Sequence, residues 1–360
     1  MVSLRSKMNR KMELYNRYSR KELIQKLMDE PFERTTISFY RYVRLADPQD
    51  FRNLLFLDWS SQNCFGRIYV AREGINAQMS VPTHHLQSFL DKLQQYVELK
   101  DMPIKFAVED NGKSFYKLTI KVRPKIVADG LDDQAFDTTD VGRHLTAAEF
   151  HRLVDQPDVL VVDMRNHYES EIGHFKGAIC PQADTFREEI EMVADQLSDV
   201  KDRKILLYCT GGVRCEKASS YLRHHGFKDV NQLHGGIIEY ARQIKQLKLE
   251  SKFIGKNFVF DERLGESING EVIAHCHQCG NACDTHVNCA NNLCHLLFIQ
   301  CSECARRYEG CCGDECRDAL HVSAEDRQLL VQTFQRKFGN RKAFRKGINQ
   351  KLSFIKPEHE

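Results

Sequence analysis

The sequence has no run of about 18 consecutive apolar residues, the length a membrane-spanning helix requires, and its first 26 residues are studded with charges where an export signal would carry an apolar core. These absences predict a soluble, cytoplasmic protein with no membrane partner. An excess of either charge is missing too: 52 Lys and Arg against 50 Asp and Glu leave a formal +2. That balance excludes a uniformly basic nucleic-acid-binding chain and an acidic tail protein, so any contact with RNA must come from local patches. No G-x-G-x-x-G loop stands ready for a dinucleotide, and no set of two histidines and a carboxylate stands out for iron, so no redox cofactor is evident.

What is present is ordinary globular composition over 360 residues, enough for two or three domains. Ten of the fourteen cysteines fall between Cys276 and Cys316. In a large chain without an export signal, that clustering points to thiolate chemistry or metal binding instead of disulfide stapling.

The expected fold class is multidomain α/β. Residues 1–34 read as a leader helix without sharp caps, with Leu14, Leu23, Leu27 and Met28 spaced among basic residues. Residues 35–123 alternate strand and helix patterns: a strand over Thr36–Val43, a helix over Pro48–Trp59, a strand over Phe65–Ala71, a turn at Glu73–Asn76, a strand over Ala77–Val81 and a helix over Thr83–Tyr96. Strands over Ile104–Val108 and Phe115–Val122 then flank an Asn111-Gly112 turn. The β-α-β-β-α-β order, with one extra strand, predicts a ferredoxin-like or acylphosphatase-like α+β module. Residues 124–143 read as a linker, and residues 144–250 as a parallel α/β domain with buried strands over Val159–Asp163 and Lys204–Tyr208. A Cys-rich segment spans 251–322. Residues 323–360 carry a helical pattern (Leu329, Leu330, Phe334) and a tail, Arg336 to Lys356, with eight basic and no acidic residues, which reads either as an RNA-binding arm or as a solubilising tail.

The most informative stretch leaves the apolar strand at Tyr208 and continues Cys209-Thr210-Gly211-Gly212-Val213-Arg214-Cys215 into a helix. Two glycines let backbone N–H groups turn inward, and the following helix presents its positive end, so the Cys209 thiol becomes a stabilised anion. Arg214 adds a fixed positive charge. The surroundings resemble the rhodanese family: Val162-Asp163-Met164-Arg165 matches its strand end, Gly173-His174-Phe175-Lys176-Gly177-Ala178 its middle segment, and Leu233-His234-Gly235-Gly236-Ile237 its closing signature. By that resemblance Cys209 carries a persulfide during turnover, with Asp163 and Arg165 in support. Tyr240 stands where the family often has Trp, and Cys215 where it usually has a small hydroxyl residue. For Cys215 two readings stay open, a thiol that resolves the persulfide and a cysteine that faces the core. Only four residues separate Cys209 from Arg214, one too few for the phosphate-binding loop of related phosphatases.

Cys276-x-x-Cys279 and Cys301-x-x-Cys304 have the spacing of a zinc ribbon, which makes these four the best-spaced metal ligands. Cys283, Cys289, Cys294, Cys311, Cys312 and Cys316, with His275, His277, His286 and His295, supply enough further ligands for two sites with several pairings. Structural zinc is expected, against reduced or disulfide-paired cysteines as the alternative, because the segment has little apolar surface to fold around.

Taken with Arg34-Thr-Thr-Ile-Ser-Phe-Tyr40, Ala71-Arg-Glu-Gly-Ile-Asn-Ala77, Lys121 to Gly130 and Phe253 to Arg263, the chain from about Thr35 to Cys316 resembles the bacterial tRNA uridine hydroxylase family. The resemblance implies a monooxygenase-type oxidoreductase that converts the wobble uridine of certain tRNAs to 5-hydroxyuridine. Molecular oxygen would be co-substrate, Cys209 the active-site cysteine and the anticodon loop the partner, with no DNA. The alternatives are a sulfurtransferase that passes persulfide sulfur to tRNA or a thiol acceptor, and a non-enzymatic RNA-binding module. Tyr40, Arg41, Tyr42, Arg72, Lys121, Arg123 and Lys125 are candidate RNA contacts, by stacking and by phosphate pairing.

Overall fold

Ser19, three residues before Glu22, begins the regular structure: its hydroxyl accepts the Glu22 N–H at 3.3 Å, and the Glu22 carboxylate accepts the Ser19 N–H at 2.7 Å. This capping box starts α1 (Arg20–Met28), so the helix read from sequence as lacking a sharp cap has one. The computed structural model describes residues 18–132, 135–292, 294–323 and 326; the first part of the expected leader helix, the helical pattern around Leu329 and the basic tail lie outside them. The chain divides into two compact units, one comprising residues up to 128 with 261–263, the other 129–260 with the residues from 264 on.

After α1, the described residues of the first unit form a five-stranded sheet backed by two further helices. Its elements run β1 (Arg34–Tyr42), α2 (Pro48–Ser61), β2 (Phe65–Ala71), β3 (Gly74–Pro82), α3 (Leu86–Leu93), β4 (Lys105–Phe106) and β5 (Leu118–Val122), with sheet order β4-β1-β3-β2-β5. This is the expected β-α-β-β-α-β arrangement with one strand added, β5 lying parallel to β2. Alternation sends Ile37, Phe39, Ile68, Val70, Ala77 and Met79 toward a core filled by Leu55, Trp59 and Phe89. The β2–β3 turn is tighter than expected. Ala71 pairs with Gly74, leaving Arg72 and Glu73 as its two turn residues, and Gly74 takes a φ of 142° against the Arg41 carbonyl, a position closed to any side chain. The last two strands do not form a hairpin about Asn111-Gly112, because β4 pairs with β1 and β5 with β2 at opposite sheet edges. The Asp110 carboxylate explains this: it accepts the Thr36 hydroxyl and the Gly112 N–H, each at 2.9 Å, and so fastens the crossing segment to β1.

In the second unit Thr146 and Glu149 form the capping box of α4 (Ala147–Leu153). The four-stranded parallel sheet has the order β6-β10-β9-β7, from β6 (Arg143–Leu145), β7 (Val159–Asp163), β9 (Lys204–Tyr208) and β10 (Asp229–Leu233). Its helices are α5 (His167–Ser170), α6 (Phe186–Gln196), α7 (Val213–His224) and α8 (Gly236–Leu247). Phe150, Phe175, Tyr208, Tyr240 and Phe253 interlock in one aromatic core. The Cys-rich segment is tied to this sheet domain. β11 (Phe253–Asn257) pairs antiparallel with β8 (Gly173–Phe175) and with β12 (Glu266–Ser267). Beyond it lie a hairpin of β13 (His286–Asn288) and β14 (Leu297–Ile299), then the short helices α9 (Ser302–Arg307) and α10 (Asp314–Asp318). The expected linker is partly built in: Ile126 is buried and donates its N–H to Glu73 in the first unit, while Asp129 is buried in the second. No helix among the described residues is long and apolar enough to cross a membrane.

Candidate active site

Loops that leave the C-terminal ends of parallel strands form the ligand-binding edge of such sheets. Cys209 stands there, directly after β9, and α7 begins four residues later. Gly212 makes the turn with a φ of 99° and donates its N–H to the Cys209 sulfur at 3.1 Å. The closing signature Gly235-Gly236 has a steric reason. A Cβ at Gly236, whose φ is 67°, would sit 2.5–2.7 Å from Cys209 O, Thr210 O and Gly211 N, and the N–H groups of Ile237 and Ile238 hold those two carbonyls at 3.0 and 3.2 Å. The start of α8 thus clamps the loop from behind.

The Cys209 side chain is fully buried, and burial alone raises a thiol pKa. Opposing it are a hydrogen bond from the Cys215 thiol, the charge of Arg214 and the backbone N–H groups of Cys215 and Arg214, which together push the thiol down from an ordinary 9.0 to about 5. Cys209 is therefore a thiolate at neutral pH. The two readings of Cys215 resolve into one geometry, in which its sulfur is buried, turned toward Cys209 and held in the thiol form by burial and the neighbouring anion.

Arg214 stands beside the thiolate as expected, but it is not a lone cation. It forms a bidentate pair with Glu169 on α5, at 2.6 and 2.9 Å, and reaches the Thr210 hydroxyl at 3.2 Å. Glu169 was not among the sequence candidates. Its only sequence signal is the Asn166-x-x-Glu169 spacing of a capping box, realised by the Asn166 N–H on the carboxylate at 3.1 Å. Glu189 on α6 was missed as well. It is buried, neither carboxyl oxygen has a hydrogen-bond partner among the described residues, and burial holds it well above the usual carboxylate range. Asp163 and Arg165 are brought together as a buried pair at 2.8 and 2.6 Å, with Arg165 also donating to Gly173 O at 2.6 Å. They fix the end of β7 to β8. Val213 and Gly211 complete the loop, and a Cβ at Gly211 would meet nothing within 4 Å.

In the Cys-rich segment the sulfurs of Cys276, Cys279, Cys301 and Cys304 lie within 4.8 Å of one another, with Cys279 and Cys301 3.7 Å apart. A tetrahedron with Zn–S bonds of about 2.3 Å has edges of about 3.8 Å, so the donor set fits a metal ion of that kind. The Cys301 N–H points at the Cys276 sulfur at 3.3 Å, as donors do around metal-bound thiolates. His277 is occupied otherwise, 2.8 Å from Glu171.

The candidate RNA contacts divide between the faces of the first unit's sheet. Tyr40 and Tyr42 share the face opposite the helices, whereas Arg41 turns to the Lys100 carbonyl. Pairing places the candidates Tyr40 and Lys121 in one row across four strands with Asn76 and Tyr69, which sequence reading did not single out as RNA contacts, and sets Lys105, Ser38, Gln78 and Arg67 in a second. The Lys105 ammonium lies 4.5 Å from the Tyr40 ring centre, and the Arg123 guanidinium 5.9 Å from that of Tyr69.

Three family models match in succession: the UPF0176 acylphosphatase like domain over residues 34–126, the rhodanese-like domain over 146–243 and the rhodanase C-terminal over 254–317. The tRNA uridine(34) hydroxylase of Leptospira interrogans is 56% identical over 321 residues, 89% of this chain and 88% of its own. Those of Photorhabdus laumondii and Pectobacterium atrosepticum are 53% and 52% identical over 86% and 88% of this chain and 88% and 90% of theirs. The chain belongs to the tRNA uridine(34) hydroxylase family.

Proposed function

We propose that this protein hydroxylates the wobble uridine, U34, of tRNA at C5 to give 5-hydroxyuridine, with molecular oxygen as co-substrate and Cys209 as the reacting group, in the cytoplasm. The observation that carries this reading is the Cys209 sulfur, which accepts the Gly212 N–H at 3.1 Å beside the Arg214 charge and has a second thiol turned toward it, contacts that favour the thiolate. A thiolate adds to C6 of uracil, moving an electron pair to C5 and O4, and C5 then takes up dioxygen as a hydroperoxide. The Cys215 thiol accepts the distal oxygen as a sulfenic acid, and departure of Cys209 with loss of the C5 proton restores the ring double bond. The two sulfurs then condense to a disulfide and water. Uridine, dioxygen and two thiols give 5-hydroxyuridine, water and a disulfide, which an external dithiol reduces before the next turnover. Since Cys209 has no exposed surface, the base reaches it only when the loop opens, a motion that Gly211 and Gly212 permit.

The anticodon loop is single-stranded, so its bases can stack on aromatic rings while basic groups pair with its phosphates. The half-buried tyrosines 40, 42 and 69, rimmed by exposed Arg67, Lys121 and Arg123, offer that combination on one sheet face. Cys276, Cys279, Cys301 and Cys304 would hold structural zinc, whose role is to cross-link a segment with little core of its own. Nucleoside mass spectrometry of total tRNA from a deletion strain is the test. Absence of 5-hydroxyuridine, restored by the wild-type gene, supports the proposal; loss of 2-thiouridine with 5-hydroxyuridine unchanged would point to sulfur transfer instead.

A further inference from the structure

Four cysteines outside the first metal set converge a second time. The sulfurs of Cys289, Cys294, Cys312 and Cys316 lie within 4.8 Å of one another, with Cys294 to Cys312 at 3.7 Å and Cys312 to Cys316 at 3.6 Å. Those separations approach the roughly 3.8 Å edge of a zinc tetrathiolate and are far from the roughly 2.0 Å of a disulfide. Leu296, Phe298, Cys311 and partly buried Leu320 close around the cluster. Four thiolates there would repel one another without a cation between them, and four thiols would make only weak hydrogen bonds in place of their hydration. Spacing alone hides this site, because C-x₄-C followed by C-x₃-C lacks the regular two-residue knuckle of the first set.

The chain order of the ligands matters as much as their geometry. The pair Cys276/Cys279 belongs to the first cluster, Cys289/Cys294 to the second, Cys301/Cys304 to the first again and Cys312/Cys316 to the second. The two clusters are therefore interleaved, and neither closes until the chain has passed through the other. They also sit at opposite ends of one hairpin: Cys289, whose N–H bonds to Leu296 O at 2.8 Å, extends β13 at the turn, while Cys301 follows β14 at the open end. Between them the Gln278 and Gln300 amides both donate to the Cys311 carbonyl, at 3.0 and 3.1 Å, and Gln300 donates to Gln278 at 2.8 Å. Gln278 lies inside the first knuckle, Gln300 precedes Cys301, and Cys311 precedes Cys312, so this bridge joins ligand loops of both clusters.

We infer that Cys289, Cys294, Cys312 and Cys316 bind a second zinc ion, cross-braced with the first so that the two ions are gained and lost together. The coupling rests on the reading of the first set as a zinc site; the second site does not. Elemental analysis of the full-length protein, purified without chelator, is expected to give two zinc per chain, and counting thiols with an aromatic disulfide reagent should show chelator releasing eight thiols beyond those that react without it. In Cys316→Ser the zinc content should fall below one per chain, while the control Cys283→Ser, which sits in neither cluster, keeps two. One zinc per chain in the wild type, unchanged by Cys316→Ser and with chelator releasing only four thiols, would overturn the second site while leaving the first. One zinc retained in Cys316→Ser from a two-zinc wild type would overturn the coupling, and iron or disulfides in place of zinc would overturn the assignment altogether. If Cys316→Ser does not fold, cobalt titration of the chelated wild-type protein decides between the outcomes: thiolate-to-cobalt absorbance that rises to two equivalents and reports tetrahedral sites throughout is expected, and saturation at one equivalent contradicts the inference.

Discussion

Removing the Arg214 charge should raise the Cys209 pKa, but the obvious variant confounds the measurement. Arg214→Ala leaves Glu169 buried without its partner, and an uncompensated buried charge costs about 3–5 kcal/mol, enough to unfold the loop. The clean perturbation is the double variant Arg214→Met with Glu169→Gln, which removes both charges and keeps their approximate volume. The thiolate then retains its hydrogen bonds from Cys215 and the backbone but loses an adjacent cation, an effect of about one pKa unit or more. Its midpoint should move from about 5 to about 6 or above. At pH 6 the thiolate fraction then falls from about nine-tenths to about a half or less, while at pH 8 it hardly changes, because each pKa unit is a factor of ten. Iodoacetamide labelling of Cys209, followed by peptide mass spectrometry across this range, reads the midpoint directly. The midpoint is independent of how often the buried loop opens, which scales the rates equally at every pH. A double variant that is folded and still titrates near 5 would refute the claim that Arg214 stabilises the anion.

Three other outcomes follow from the same geometry. Gly236→Ala should slow turnover and lower stability by a few kcal/mol, because its Cβ meets backbone of the Cys209 loop at 2.5–2.7 Å and the residue is left-handed; thermal melting unchanged from wild type would contradict this. The depressed thiol pKa is also a stability statement: an acidic group whose folded value lies below its unfolded one stabilises fully above the unfolded value and loses that contribution as pH falls. The advantage of wild type over Cys209→Ala should therefore shrink by up to about 1.4 kcal/mol per pH unit between 9.0 and about 5, as urea unfolding will show. Tyr40→Ala should weaken tRNA binding by about 1–3 kcal/mol, with Tyr40→Phe close to wild type, if the ring stacks on a base; equal affinities for all three proteins in a gel-shift titration would remove this sheet face from the RNA site.

What the sequence made legible was local. The strand-to-helix passage through Cys209, Gly211 and Gly212 could be read because a thiolate loop needs glycines, a helix start and a nearby cation within a few residues, and the structure assembles them so. Glu169 was not legible, since it is brought to Arg214 by the packing of α5, 45 residues earlier in the chain, and a glutamate in a first helical turn looks like an ordinary cap. Glu189 is hidden for a similar reason: a carboxylate on an amphipathic helix is normally solvated, and only the tertiary fold turns this one inward. The hairpin expected about Asn111-Gly112 failed because turn residues specify a reversal but not which strand the chain joins next, a choice made by Asp110 bonding to Thr36.

In the proposed reaction Cys209 drives the transfer of an oxygen atom from dioxygen to C5 of U34. The most direct measurement incubates purified protein with unmodified tRNA, a dithiol reductant and isotopically heavy dioxygen, and then analyses the nucleosides by mass spectrometry. Wild type should give 5-hydroxyuridine at position 34 carrying the heavy label and Cys209→Ser none, because its hydroxyl cannot become the anion this loop stabilises. Labelled 5-hydroxyuridine formed equally well by Cys209→Ser, or an oxygen that comes from water instead of dioxygen, would contradict the proposal.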